Sequence, residues 1–249
     1  MSKGTRLKTI IDGNTYCLFD EIEIDNFSSR MLSAEYWLEK NAITGSAQGR
    51  GTTWFVKYQN QKQSNEKHWV LRHYFRGGLI GKLIKDSYIF TSIENTRAAR
   101  EFLLLAKMQK LALPTPKPIA YRTIRKGIFY KADLLSSRIK NAKDLVDILS
   151  EKALTDSQWQ HIGRTIKRFH DNNIYHHDLN AHNILIDKQE NVFLIDFDRG
   201  EIRTSHQNIW QKSNMDRLQR SFLKELERVP NFKWKKENWK LLLEGYLSN

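Results

Sequence analysis

The spacing of apolar residues changes partway along the chain. In the first half they fall into short runs broken by turn residues. Residues 9–19, TIIDGNTYCLF, break at Asp12-Gly13-Asn14 and predict a hairpin. A helix is predicted from Ser28 to Lys40, with Met31, Leu32, Glu35 and Leu38 at helical spacing. GSAQGRGTTWFVKYQ joins a glycine-rich turn to a strand, and HWVLRHYF gives another. Residues 92–110 carry a long apolar face behind Ser92, an N-cap candidate, so a helix is expected there. It stops at LPTPKPI, whose prolines suit an extended connector. GIFYKADLL then reads as a strand entering a short linker near Asp133 to Ser137.

Beyond that point the period becomes mostly helical. NAKDLVDILS and DSQWQHIGRTIKRFHDNN both fit a helix, the second ending at Asn-Asn. Leu218, Phe222 and Leu226 form one later stripe, and Trp239, Leu242, Leu243 and Tyr246 another; both read as core. Strands with one helix, followed by helices around a small hairpin, define an α+β chain.

That hairpin is the most informative stretch. In IYHHDLNAHNILIDKQENVFLIDFDRG, the runs ILI and VFLI flank the polar turn DKQEN. Antiparallel pairing brings Asn183, before the first run, towards Asp196, after the second. Asp178 lies on the loop just upstream. Two oxygen-bearing side chains at one point suit a hard cation such as Mg²⁺, with an acid beside it. Taken singly, each would be an ordinary turn or loop cap. Together they form H-x-D-x-x-x-x-N, an apolar strand and D-F-D, a constellation that points to phosphoryl transfer.

Charge narrows the partners. Forty-one Lys and Arg against 28 Asp and Glu give +13, which favours nucleic acid, an acidic membrane or a phosphorylated substrate without choosing among them. The single cysteine, Cys17, excludes an internal disulfide and a cysteine-built zinc site and reads as a buried strand thiol. No run of eighteen apolar residues and no leader-like start are present, so a cytoplasmic chain is expected.

HHDLNAHNILID is similar to the protein-kinase catalytic loop, and LIDFDRG to its D-F-G segment. This resemblance implies that Asp178 orients or accepts the proton of an acceptor hydroxyl, while Asn183 and Asp196 hold Mg²⁺ against ATP phosphates. His177 stands where an arginine is usual, and Asp198 where the glycine is. The absent arginine argues against control by a phosphorylated activation loop. No A-P-E motif follows, which disfavours a peptide acceptor. Gly49, Arg50 and Gly51 become candidates for a lid over the nucleotide, although a plain glycine hairpin would look the same. Arg72 in W-V-L-R takes the place of the phosphate-clamping lysine; as a bare sequence feature it equally suits an edge-strand surface arginine. Its helix partner would be Glu101, with Glu94 as the alternative. Asp133 and Leu135 are placed near the adenine by their order along the chain.

GSAQGRGTTWF, LRHYFRGGLIGKLIKDSYIF, LPTPKPIAYR, DLNAHNIL and LIDFD together resemble the 3-deoxy-D-manno-octulosonic acid (Kdo) kinases of Gram-negative bacteria, a lipopolysaccharide kinase family. The resemblance implies a protein-kinase-like bilobal fold, with a nucleotide-binding lobe at 1–133 and a catalytic, substrate-binding lobe at 134–249. It implies ATP-dependent phosphorylation of the Kdo 4-hydroxyl on a Kdo-bearing lipid A precursor. It also implies peripheral work at the cytoplasmic face of the inner membrane, on an anionic surface and without nucleic acid. The basic, aromatic segment from Arg72 to Phe90 suits that setting, or a solvated strand connection. A heptose kinase of the same pathway and a catalytically dead kinase-like scaffold are the alternatives.

Overall fold

A computed structural model describes residues 5–48, 51–59, 66–76, 86–203 and 209–248. The chain divides into two compact units: residues 1–106 with 116–138, and residues 107–115 with 139–249. The second division falls after Arg138, five residues beyond the one expected from the sequence, and residues 107–115 belong with the C-terminal unit. No helix among the described residues is long and apolar enough to cross a membrane.

The first unit is an antiparallel sheet. Its strands are β1 (Leu7–Asp12), β2 (Thr15–Asp20), β3 (Ile43–Gln48), β4 (Thr52–Gln59), β5 (Glu66–His73), β6 (Tyr88–Ile89), β7 (Pro118–Lys126) and β8 (Phe129–Ser137). They run in the order β1-β2-β7-β8-β5-β4-β3, with β6 also on β8. Gly13 opens the β1–β2 turn at φ +56°, a backbone conformation that glycine adopts without strain.

Side chains alternate between the two faces of β5. Trp69 and Leu71 join Met31, Leu32 and Trp37 in a buried core, where the indoles of Trp37 and Trp69 meet edge-on at 6.1 Å. Arg72 points the other way, towards helix α2 (Arg97–Lys110), where Phe102 packs on Tyr121 at 5.3 Å. Cys17 is buried on β2, as expected, and burial raises its thiol pKa to about 11.

Three sequence expectations change here. The helix expected over 28–40 breaks into a 3-10 turn (Ser29–Leu32) and α1 (Ala34–Glu39), with Ser33 extended between them. Arg122 supplies the reason. Its guanidinium takes the carbonyls of Ser29 and Leu32 at 3.0 and 2.8 Å, and a continuous helix would need both. The helix expected from Ser92 begins at Arg97, whose backbone N–H donates to the Tyr130 hydroxyl at 3.0 Å. Finally, Asp133 to Ser137 is not a linker. It is the second half of β8, paired with both β5 and β7.

In the second unit, α3 (Leu145–Glu151) is capped by Asp144, whose carboxylate accepts from Val146 and Asp147 N–H at 2.8 and 3.0 Å. Helix α4 (Asp156–Asp171) starts with a Thr155–Gln158 capping box. The short strand β9 (Lys143–Asp144) precedes α3, and β10 (Ile174–Tyr175), β11 (Ile184–Ile186), β12 (Val192–Leu194) and β13 (Glu201–Ile202) follow α4. Helices α5 (Ile209–Arg228) and α6 (Lys236–Leu247) complete the unit. Phe222 on α5 touches the Trp159 ring at 5.7 Å and stacks on Trp234 at 5.6 Å. Leu218 and Phe222 are buried as expected, but Leu226 is 44% exposed and lies outside the core.

Candidate active site

The expected hairpin forms: Ile184 pairs with Leu194 and Ile186 with Val192. The register places Ile195, not Asp196, opposite Asn183, through a hydrogen bond from Ile195 N–H to the Asn183 carbonyl at 3.0 Å. Asp196 follows in the left-handed region at φ +61°, where the chain leaves the strand direction. Phe197 is fully buried, stacked on Phe169 at 5.7 Å and lying 4.6 Å from the His176 ring. It anchors the acidic residues on either side of it.

His176 ties the loop to this hairpin. Its Nε2 donates to the Ile195 carbonyl at 2.9 Å, and its Nδ1 accepts from Asp178 N–H at 3.2 Å. Those two bonds need one protonated and one bare nitrogen, hence a neutral ring. Burial favours the same form and lowers the His176 pKa. Asn214 on α5 grips the same residue's backbone, accepting from His176 N–H at 3.3 Å and donating to its carbonyl at 2.9 Å.

The next residues are held as firmly. The Asp178 carbonyl accepts from the side-chain amides of Asn183 at 2.9 Å and Asn180 at 3.1 Å. Ser221 Oγ accepts from Ala181 N–H at 3.0 Å. With its backbone fixed on both sides, the Asp178 carboxylate is half exposed, with Arg217 Nη1 at 3.5 Å. Asn183 is buried, and its bond to Asp178 sets the amide's orientation: the nitrogen faces the loop and Oδ1 faces away.

Within the second unit Asn183 is therefore bonded directly to Asp178, and Asp196 is tied to both through its neighbour Ile195, which bonds Asn183 and His176. The Asn183 amide oxygen and the Asp196 carboxylate are hard donors that fit Mg²⁺. This ion takes few protein ligands and completes its shell with water and phosphate oxygens. No group of three or more His, Cys, Asp or Glu side chains arranged to hold a metal ion is present among the described residues, and a site of this kind requires none.

In the first unit, β5 is an interior strand between β4 and β8, so Arg72 is not an edge residue. It pairs with Glu101 on α2, which is 3% exposed and also accepts from the Tyr74 hydroxyl at 2.6 Å. Glu94 is exposed on the turn before the helix. Gly51, immediately before β4, lies so tightly against Phe75 that an added Cβ would fall 2.0 Å from its ring. Gly49 and Arg50 lie outside the described residues.

Asp133 and Leu135 are interior to β8, and Leu135 is part of the core. The Asp133 carboxylate bonds His73 Nδ1 at 2.7 Å and Arg122 Nε at 2.9 Å. His73 and Arg72 are neighbours on one strand, so their side chains leave opposite faces. Asp133 consequently lies on the face away from the Arg72–Glu101 pair, where it braces the sheet.

Asn214, Asn180, Ser221 and Arg217 were not singled out from the sequence. A signal existed for Asn214: it is an amide at the i+4 step between Trp210 and Leu218 on an otherwise apolar stripe.

Residues 34–246 match the family model described as "Lipopolysaccharide kinase (Kdo/WaaP) family". A 3-deoxy-D-manno-octulosonic acid kinase of Vibrio parahaemolyticus is 46% identical over 234 residues, covering 94% of each chain. One of Mannheimia succiniciproducens is 46% identical over 238 residues, covering 94% of this chain and 96% of its own. One of Vibrio cholerae is 44% identical over 220 residues, covering 88% and 90%. With similarity running from end to end and the loop–hairpin framework in place, the chain belongs to the lipopolysaccharide kinase (Kdo/WaaP) family.

Proposed function

We propose that this protein is a Kdo kinase, transferring the γ-phosphoryl group of ATP to the 4-hydroxyl of Kdo on a Kdo-bearing lipid A precursor. The observation that carries the reading is the Asp178–Asn183–Asp196 framework, braced through His176, in a chain of a lipopolysaccharide kinase family.

In the transfer, the acceptor oxygen bonds the γ-phosphorus as the bond to the ADP leaving oxygen breaks. Asp178 aligns the hydroxyl and takes its proton, which then passes to solvent. The half-exposed carboxylate on a fixed backbone suits this role, because it is reachable by a sugar yet limited in where it can point. Asn183 and Asp196 are the residues that would hold Mg²⁺, whose charge offsets that of the phosphates. Arg72, oriented by Glu101, offers a bidentate fork to the phosphates where a lysine would offer a point charge. Gly49, Arg50 and Gly51 are proposed as the lid. Asp133 and Leu135, which brace the sheet and its core, are given no part in nucleotide binding.

A lipid-linked acceptor places this work at a bilayer surface. The excess of 13 positive charges fits both an anionic bilayer and an acceptor bearing phosphates and carboxylates.

The test uses purified chain, Mg-ATP and a detergent-dispersed Kdo–lipid A precursor, with mass spectrometry locating the added phosphate. Phosphate on the Kdo 4-position is expected. Asp178→Ala should lower turnover by about 10³-fold or more while still binding nucleotide. Transfer only to heptosylated core, or near-parental turnover by Asp178→Ala, overturns the assignment.

A further inference from the structure

The turn between β7 and β8 places an apolar side chain where turns usually carry a polar one. Lys126 pairs with Phe129 across the two-residue loop Gly127-Ile128. Gly127 has φ +60°, as the first central position of a type II′ turn requires. The second central position is Ile128, 68% exposed. Beside it, Ile89 is 66% exposed and pairs with Phe129, itself 36% exposed. Phe90 N–H donates to the Ile128 carbonyl at 2.9 Å, which fixes β6 against the turn.

Cations surround this apolar tip. The Arg125 guanidinium lies 4.6 Å over the Phe90 ring, Lys126 is exposed at the strand end, and exposed Lys131 reaches Asp86 at 2.6 Å. A cavity of about 330 Å³ opens next to them, lined by Ile124, Phe129 and Tyr130 together with Lys126 and Lys131. Exposed isoleucines cost free energy in water, and among the described residues here the basic Arg125, Lys126 and Lys131 outnumber the acidic Asp86. That combination matches the boundary of an anionic bilayer, with apolar tips in the acyl region and long cationic stems reaching back to phosphates. A symmetric contact with a second copy would set Arg125 and Lys126 close to their own counterparts, which is unfavourable.

We propose that this end of the N-terminal sheet docks on an anionic lipid bilayer, inserting Ile89, Ile128 and Phe129 and meeting lipid phosphates with Arg125, Lys126 and Lys131. The choice of a bilayer over an acidic protein rests on the lipid-linked acceptor proposed above.

Flotation of the full chain with phosphatidylethanolamine vesicles, with and without phosphatidylglycerol, tests it. The parent should float with the anionic vesicles, and Ile128→Glu should lose about tenfold or more of that affinity. Its melting temperature and its turnover on detergent-dispersed acceptor should stay parental. As a second readout, Ile128→Cys carrying an environment-sensitive fluorophore should shift to the blue on anionic vesicles. Leu38→Cys, exposed elsewhere on the same unit, should not. Buried Cys17 leaves the introduced thiol as the one that labels. Parental vesicle binding by Ile128→Glu, an equal shift at position 38, or self-association abolished by Ile128→Glu would each overturn the proposal. Loss of turnover in detergent would do so as well, by assigning the turn to the chemistry. A parent inactive in detergent would refute the kinase reading alone, because vesicle binding is measured without ATP.

Discussion

Three amides set the geometry of the loop that carries Asp178. Asn183 and Asn180 converge on the Asp178 carbonyl, and Asn214 satisfies both backbone groups of His176. Asn214 is 1% exposed, so water cannot replace it without rearrangement. Removing its amide strands a buried N–H and a buried C=O, at about 1–3 kcal/mol for each unsatisfied group. Asn214→Ala should therefore lower stability by a few kcal/mol in a denaturant titration. Its kcat should fall about tenfold or more with the KM for ATP little changed, because the loop that carries Asp178 loosens while the residues proposed to meet the phosphates are untouched. A proportional rise in that KM would show that Asn214 does not act through Asp178. The Asn183–Asp178 link was not legible in H-x-D-x-x-x-x-N: the motif names the residues, but not which amide hydrogen they share.

Between elements, the crossing of α4 and α6 depends on two glycines. A Cβ on Gly163 would lie 2.0 Å from the Leu242 carbonyl oxygen, and one on Gly245 2.0 Å from that of Gln160. In an open helix, Gly→Ala gains about 1 kcal/mol of propensity. Here the obstacle is backbone, which cannot swing aside, so the helices must separate and the overpacking cost of about 1–3 kcal/mol or more prevails. Gly163→Ala should destabilise the chain, measured as a lower denaturation midpoint at unchanged slope.

The same helices meet at His170, whose Nδ1 bonds the Tyr246 hydroxyl at 2.7 Å and whose ring lies 5.1 Å from that of Trp210. Burial pulls its pKa down to about 4 from an ordinary 6.5. The folded chain thus holds His170 neutral while the unfolded chain protonates it. Its effect on stability is absent above about pH 6.5, grows unfavourable as pH falls, and levels off below about pH 4. The full cost is about 3 kcal/mol. Melting temperature should drop across that window, and His170→Gln should flatten part of the drop. An unchanged slope in that variant would assign the acid sensitivity elsewhere, with buried His176 the next group of the same sign.

At the scale of the whole molecule, nucleotide binding should appear as stability. A ligand bound only by the folded chain adds about 2.7 kcal/mol at a hundredfold excess over its Kd. Mg-ATP should raise the melting temperature of the parent and of Asp178→Ala alike, because Asp178 is assigned to the acceptor. Asp196→Ala should lose most of the shift, and chelation of the metal should reduce it in the parent. An Asp178→Ala chain that no longer responds would place that carboxylate on the nucleotide.

Local order determined what the sequence could reveal. The hairpin turning at Asp12-Gly13-Asn14, the ILI–VFLI pair, the catalytic-loop motif and the family were all legible, because each is written within a few consecutive residues whose period or turn composition is its own cause. Only the tertiary structure decided the rest. Arg122, distant in sequence, takes the carbonyls that would have continued a helix through Ser33. Strand alternation turns Asp133 away from Arg72, and the position of α2 selects Glu101 over Glu94. Asn214 meets His176 across 38 residues. Which groups meet in space depends on register and packing between distant segments, information that no single stretch of the chain contains.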